Sequence, residues 1–220
     1  MTLLQLTRRA AVLCAIIILP ACSDPAPVTP TGPTASEVTI DSQTWMTRNL
    51  DVAFFRNGDS IPEAESNEEW VKAASEGKPA WCYYKNDKSN GARNGKLYNW
   101  FAVNDPRGLA PEGWRIPSVE EWKSLIQFLG GEQNAGKRLK AADGWADPAN
   151  GNNSSGFWAY PAGVRDDDNF GLFGTFATFW TATQDDSVQA WFAILSSADT
   201  DATVQSQVKT RGMSVRCLKN

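Results

Sequence analysis

The hydrophobic rhythm of the chain changes several times along its length. From Glu37 to Asp41 polar and apolar side chains alternate, and Gln43 to Thr47 continue in the same style after a short turn. That period of two predicts an N-terminal β-hairpin. Residues 67–75 carry acidic side chains in their first turn and have Gly77 just beyond, so a short helix capped by Asn67 is expected. Ala80 to Tyr84 is apolar and aromatic and reads as a strand, followed by polar, turn-rich chain to Gly95. The clearest local signal is Pro117-Ser118-Val119-Glu120-Glu121-Trp122, in which Ser118 and Glu121 make a capping box. Trp122, Leu125, Ile126 and Leu129 then fall at i, i+3, i+4 and i+7, one face of a helix closed by Gly130-Gly131. A second helix is expected from about Glu132 to Ala141. Beyond Gly156 the chain is β-like, with strands expected at 157–160, 179–183, 189–195, 202–208 and 213–218 and loops rich in Gly, Asp and Asn between them. Short strands joined to a few helices in the first half of the chain predict an α+β fold.

The N-terminus has a different character. Arg8-Arg9 precede an apolar run from Ala10 to Leu19, and Leu19-Pro20-Ala21-Cys22 follows. A basic start, an apolar stretch and a small residue before a cut site are the parts of a secretory signal. The run is about half of the roughly 20 residues that a membrane-crossing helix needs. The tetrapeptide resembles the bacterial lipobox, so cleavage after Ala21 and lipidation of Cys22 are expected. Residues 1–21 are then a lipoprotein signal peptide and 22–36 a lipidated cysteine with a Pro/Thr-rich tether. That tether lacks the apolar side chains to fold. Residues 37–220 are long enough for one domain with a real core. Ser23, directly after the cysteine, favours the outer membrane. The expected location is therefore the cell envelope, with the protein held to a membrane by lipid and displayed in the envelope or on the cell surface.

Charge and composition narrow the chemistry. The chain holds 21 basic and 25 acidic side chains; residues 1–21 take away two arginines, leaving 19 against 25, about −6. An acidic domain without a clustered basic face does not suit nucleic acid. No histidine occurs, which excludes Ser-His-Asp and Cys-His catalysis and histidine metal sites. Of the four cysteines, Cys14 leaves with the signal and Cys22 takes lipid. Cys82 and Cys217 remain, either as a disulfide suited to an oxidising compartment or as two buried free thiols.

Several segments, in order, resemble the Fibrobacter succinogenes major paralogous domain, a family of secreted and surface proteins. They are Gln43-Thr-Trp-Met-Thr-Arg-Asn-Leu50, Trp81-Cys-Tyr-Tyr-Lys-Asn-Asp87, Gly95-Lys-Leu-Tyr-Asn-Trp-Phe-Ala-Val-Asn104 and Pro111-Glu-Gly-Trp-Arg-Ile-Pro117. Glu121-Trp122, Ser155-Gly-Phe157, Phe179-Trp-Thr-Ala-Thr183 and Gly212-Met-Ser-Val-Arg-Cys217 complete the set. The resemblance implies a C-type-lectin-like fold with a terminal β-hairpin, helices in the first half and a strand- and loop-rich second half. It implies no assigned activity. Family members often carry a cysteine where this chain has Ala110, which takes away one partner that Cys217 would otherwise have.

Candidate binding residues follow from side-chain chemistry. Ten tryptophans lie in the domain. Most such rings belong in a core, but an exposed one offers a flat apolar face to a sugar. Trp145, in the loop Asp143-Gly-Trp-Ala-Asp-Pro148, is the foremost candidate, while Trp158 and Trp191 fall in expected strands. Asp166, Asp167 and Asp168 form the densest acidic cluster and Asp185-Asp186 a second. Such loops are where calcium, with its oxygen ligands, would bind, although aspartates in turns are usually solvated. No motif selects a catalytic carboxylate pair. The expectation is a non-enzymatic adhesion or binding domain for a glycan or another surface protein. A carboxylate-dependent polysaccharide hydrolase and a purely structural envelope protein are the alternatives.

Overall fold

The computed structural model describes residues 37–147 and 151–220; the signal peptide, Cys22 and the tether lie outside the described residues. The elements in order are β1 (Glu37–Ile40), β2 (Gln43–Met46), α1 (Asn67–Ser75), β3 (Trp81–Cys82), α2 (Gly91–Asn94), β4 (Leu97–Tyr98) and α3 (Trp100–Val103). They continue with β5 (Trp114–Arg115), α4 (Val119–Phe128), α5 (Glu132–Leu139), β6 (Ala162–Arg165), β7 (Phe170–Phe173), β8 (Phe176–Gln184), β9 (Gln189–Ser196), β10 (Ala202–Val208) and β11 (Leu218–Lys219). This is an α+β domain whose described sheets are antiparallel throughout.

The expected hairpin is present, with Val38 opposite Trp45. Its second strand pairs with β11, so Leu218 lies between Trp45 and Arg115 in a sheet ordered β1-β2-β11-β5. The two ends of the domain thereby close on each other. The β10-β9-β8 sheet carries the longest described strands, and its register shifts between Trp180 and Gln184. That irregularity frees the Thr181 carbonyl to accept the Trp100 indole N–H at 2.9 Å.

Helix α4 forms as its spacing predicts. Ser118 caps the Glu121 amide, Glu121 accepts from the Ser118 amide at 2.8 Å, and Val119, Trp122, Leu125 and Ile126 are buried. Trp122 packs between Trp45 and Phe179, at centroid distances of 4.9 and 5.3 Å. In α1 the capping residue is Ser66 rather than Asn67: Ser66 and Glu69 make a second capping box. Asn67 instead accepts from Arg165 and donates to the Asp168 carbonyl.

Other expectations are corrected. The strand expected at 80–84 is two residues long, because Lys85 and Asn86 turn the chain with positive φ. Residues 157–160 form no strand: Trp158 has φ +58°, which breaks the pleat, and only Ala159 bridges to Lys140. At 213–218 only Leu218 belongs to a strand, while Met213 and Ser214 make isolated bridges. Cys82 and Cys217 are buried free thiols in separate apolar clusters, not a disulfide. Burial pushes both thiols up to about 12, against the pull of Arg165 on Cys82 and of Arg216 on Cys217.

Candidate functional site

Five cations are buried in the domain: Lys96, Lys140, Arg165, Lys209 and Arg216. Among the described residues only Lys96 of these has a carboxylate partner, Asp51 at 2.5 Å. The others meet neutral acceptors and ring faces, and Arg165 Nε has no hydrogen-bond partner among the described residues. Lys140 donates to the Ser196 and Asp199 carbonyls, and Lys209 to those of Asp186 and Ser187. Arg165 lies over Trp70, Lys209 over Trp100, Lys96 over Trp81 and Lys140 over Trp145. A buried charge is tolerated where most of its donors are used. These tryptophans cover the charges while backbone oxygens take the hydrogen bonds.

Arg216 is the cation that builds a site. It donates to the Met46 carbonyl at 3.1 Å, the Phe157 carbonyl at 2.5 Å and the Trp158 carbonyl at 3.2 Å. It also grips Asn49 Oδ1 through Nε and Nη2, at 3.2 and 2.6 Å. Asn49 in turn donates to the Asn94 carbonyl at the end of α2 and to the Ser214 hydroxyl. Burial lowers Arg216 to about 9, so at neutral pH it remains a cation. One guanidinium and one amide thus tie the end of β2, helix α2 and the 157–158 backbone together. Gly95, just after α2, has φ +68°, and a Cβ there would lie 2.6 Å from the Leu50 carbonyl oxygen. Only glycine lets the segments approach so closely.

Above this hub is a groove of about 360 Å³ lined by Thr47, Arg48, Ala92, Arg93, Trp158 and Tyr160. The Trp158 ring is 42% exposed. Its backbone occupies the left-handed region, strained for a bulky residue, and is pinned on both sides: its amide donates to Asn153 Oδ1 at 2.7 Å and its carbonyl accepts from Arg216. Tyr160 lies nearly parallel to it, with centroids 6.4 Å apart and planes at 29°. The Arg93 guanidinium sits 4.3 Å above the Tyr160 ring and pairs with Asp143 at 2.7 Å. Gly144, with φ +84°, leaves room for it; a Cβ there would come within 2.9 Å of Arg93. Arg48 is exposed and makes no hydrogen bond or ion pair among the described residues. The arrangement is an aromatic shelf with two guanidiniums beside it.

The residues singled out in the sequence lie elsewhere. Trp145 is only 5% exposed: its indole N–H donates to the Ala159 carbonyl at 3.1 Å and its face covers Lys140, so it offers no platform. Asp166 pairs with Arg211 at 2.6 Å, while Asp167 and Asp168 are exposed in the β6–β7 connection. Asp186 accepts the Val188 and Gln189 amides at 2.7 Å each, closing the β8–β9 turn, and the Gln189 and Val188 amides hold its carboxyl below the usual range. Asp185 is exposed in the same turn. Among the described residues no three acidic or cysteine side chains converge to hold a metal ion. Arg48, Arg93, Tyr160 and the outward turn of Trp158 escaped the sequence reading. The one local hint is Asn153-Ser-Ser-Gly156, turn chemistry directly before the expected strand at 157–160.

The domain is thus an α+β scaffold whose irregular segments present an aromatic groove. The chain belongs to the Fibrobacter succinogenes major domain family, whose model matches residues 38–219. No curated protein and no solved structure matches it.

Proposed function

We propose that this chain is a lipid-anchored binding domain displayed on a bacterial envelope, built on a C-type-lectin-like scaffold, with the Trp158 groove taking a glycan. The observation that carries the reading is the exposed indole held in strained backbone beside Tyr160. Strain of this kind costs on the order of 1–3 kcal/mol and persists where surrounding structure enforces it, commonly at ligand sites. Here the enforcing structure is the buried Arg216–Asn49 hub. Two near-parallel rings give a sugar an apolar face to stack on, and polar groups at the rim meet its substituents.

The domain binds without catalysing. A hydrolase would need an acid kept protonated near neutral pH beside a second carboxylate. No carboxylate lines the groove among the described residues. Asp59 and Asp105, which share Arg107, are both held below their usual range. Hydrogen bonds from Asn57 and Arg107 lower Asp59, and one from Arg107 lowers Asp105. Neither suits the role of a general acid.

The test is binding of the purified protein and its Trp158→Ala variant to a broad glycan array, with calcium and again with EDTA. The native protein is expected to bind and the variant to lose the signal. Loss in EDTA would bring in calcium and the loops of Asp166 to Asp168 and Asp185-Asp186. Equal binding by the variant, or no glycan bound by the native protein, would overturn the groove reading in favour of a protein partner or a structural role.

A further inference from the structure

The groove is rich in donors and poor in acceptors. Its lining side chains supply two guanidiniums and an indole N–H, which only donate, and a threonine and a tyrosine hydroxyl, which do both, with no carboxylate or carboxamide among the described residues. Neutral sugars present hydroxyls, each of which donates as well as accepts, so a site for them needs side chains that accept. This lining suits a ligand whose own groups are strong acceptors. Arg48 sharpens the point. It is solvent-exposed, has no partner among the described residues, and stands at the rim of an aromatic shelf in a domain of net negative charge. Arg93 spends part of its fork on Asp143, and stacking on Tyr160 fixes its plane next to the groove. A planar guanidinium matches the spacing of carboxylate or sulfate oxygens and forms charge-assisted hydrogen bonds with them.

Resting on the glycan reading above, we propose that the groove selects an anionic polysaccharide. A pyranose ring stacks on Trp158, and an oxyanion on that ring or its neighbour is held by Arg48, with Arg93 as the second cation. The oxyanion is a uronate or a sulfate ester; both present coplanar or tripodal oxygens to the same fork. The domain as a whole would repel such a polymer, so recognition depends on this local cationic rim and weakens with salt.

The experiment measures binding of polygalacturonate, dextran sulfate and neutral dextran to the purified protein, at low salt and at 0.15 M salt (an ionic strength at which the screening length is about 8 Å). Three variants are compared with the native chain: Arg48→Gln, Trp158→Ala, and Lys72→Gln, an exposed lysine on α1 away from the groove. At least one anionic polymer is expected to bind and dextran is not, and the polymer that binds identifies uronate or sulfate as the source. Arg48→Gln should weaken that binding about 10-fold or more, the loss of one charge-assisted contact. Trp158→Ala should abolish it, and Lys72→Gln should leave it within about 2-fold, since one remote exposed charge is largely screened. Dextran binding that Trp158→Ala removes and Arg48→Gln leaves intact would overturn the anionic inference while keeping the aromatic groove. Equal losses in Arg48→Gln and Lys72→Gln would reduce the effect to net charge and also overturn it. If no polymer binds, or Trp158→Ala binds like the native chain, the glycan reading itself falls.

Discussion

Trp145 and Trp158 both lie in the chain between α5 and β6, and the fold treats them in opposite ways. Trp145 is turned inward, its N–H spent on the Ala159 carbonyl and its face closed over Lys140. Trp158, one residue before Ala159, is turned outward by a left-handed backbone, its ring beside that of Tyr160. The 157–160 backbone is the wall between them: one carbonyl serves the buried indole, and the preceding two are gripped by Arg216. What separates a structural tryptophan from a binding one is therefore where the polar edge and the ring face find partners. An indole whose N–H and face are both taken is part of the core, whatever loop it occupies.

The largest expected effect breaks the inner half of that pair. Trp145→Ala should cost about 3–5 kcal/mol of stability, the range for removing a buried tryptophan, and it also uncovers the buried Lys140 ammonium. Urea unfolding followed by circular dichroism reads it. Below its lowered midpoint the variant should still bind the groove ligand as the native chain does. A loss under about 1 kcal/mol, the size expected of a surface change, would show that the ring is not packed.

Next comes the hub that serves the outer half. Arg216→Lys keeps a positive charge but cannot reach the Met46, Phe157 and Trp158 carbonyls and Asn49 at once, as the guanidinium does. A stability loss of about 2 kcal/mol is expected from acceptors left unpaired in the core. Affinity at the groove should fall in protein that is still folded, because Trp158 is no longer pinned. Lower stability with unchanged affinity would mean that Arg216 holds the fold without positioning the shelf.

How much of this was legible follows the range of the forces involved. Helix α4 announced itself because its cap, Ser118 with Glu121, and its buried face lie within one short stretch of chain. The β8–β10 strands did so as runs rich in aromatic and apolar side chains set between Gly-, Asp- and Asn-rich turns. The buried cations did not, since sequence rules place lysine and arginine outside, and the groups that neutralise the expense of burial come from far along the chain. Arg216 meets Met46 and Asn49 across almost the whole domain. Its one local sign is its place inside Met213-Ser-Val-Arg-Cys-Leu218, a cation within an otherwise buried run. Part of the high tryptophan count has the same origin: Trp70, Trp81, Trp100 and Trp145 each lie against a buried cation. The acidic loops misled for the opposite reason. Their density follows from turn chemistry, as the two amides bound by Asp186 illustrate.

The smallest effect isolates the backbone from the ring. Trp158 is half out of the protein, so deleting its side chain removes little burial, and Trp158→Ala and Trp158→Gly both lose the shelf. They differ in what the backbone then demands. At φ +58° an alanine retains the clash of Cβ with its own carbonyl, roughly 1–2 kcal/mol. Glycine escapes that clash but gives up about 0.5–1 kcal/mol through the greater freedom of its unfolded chain. The balance predicts that Trp158→Gly is the more stable variant by about 0.5–1 kcal/mol, the reverse of the order in ordinary strand or helix. Paired denaturation curves with equal slopes measure the difference. An alanine variant as stable as the glycine one would mean that this backbone relaxes out of the left-handed region in solution. The outward turn of Trp158, and with it the contrast to Trp145, would then belong to the indole and not to the hub beneath it.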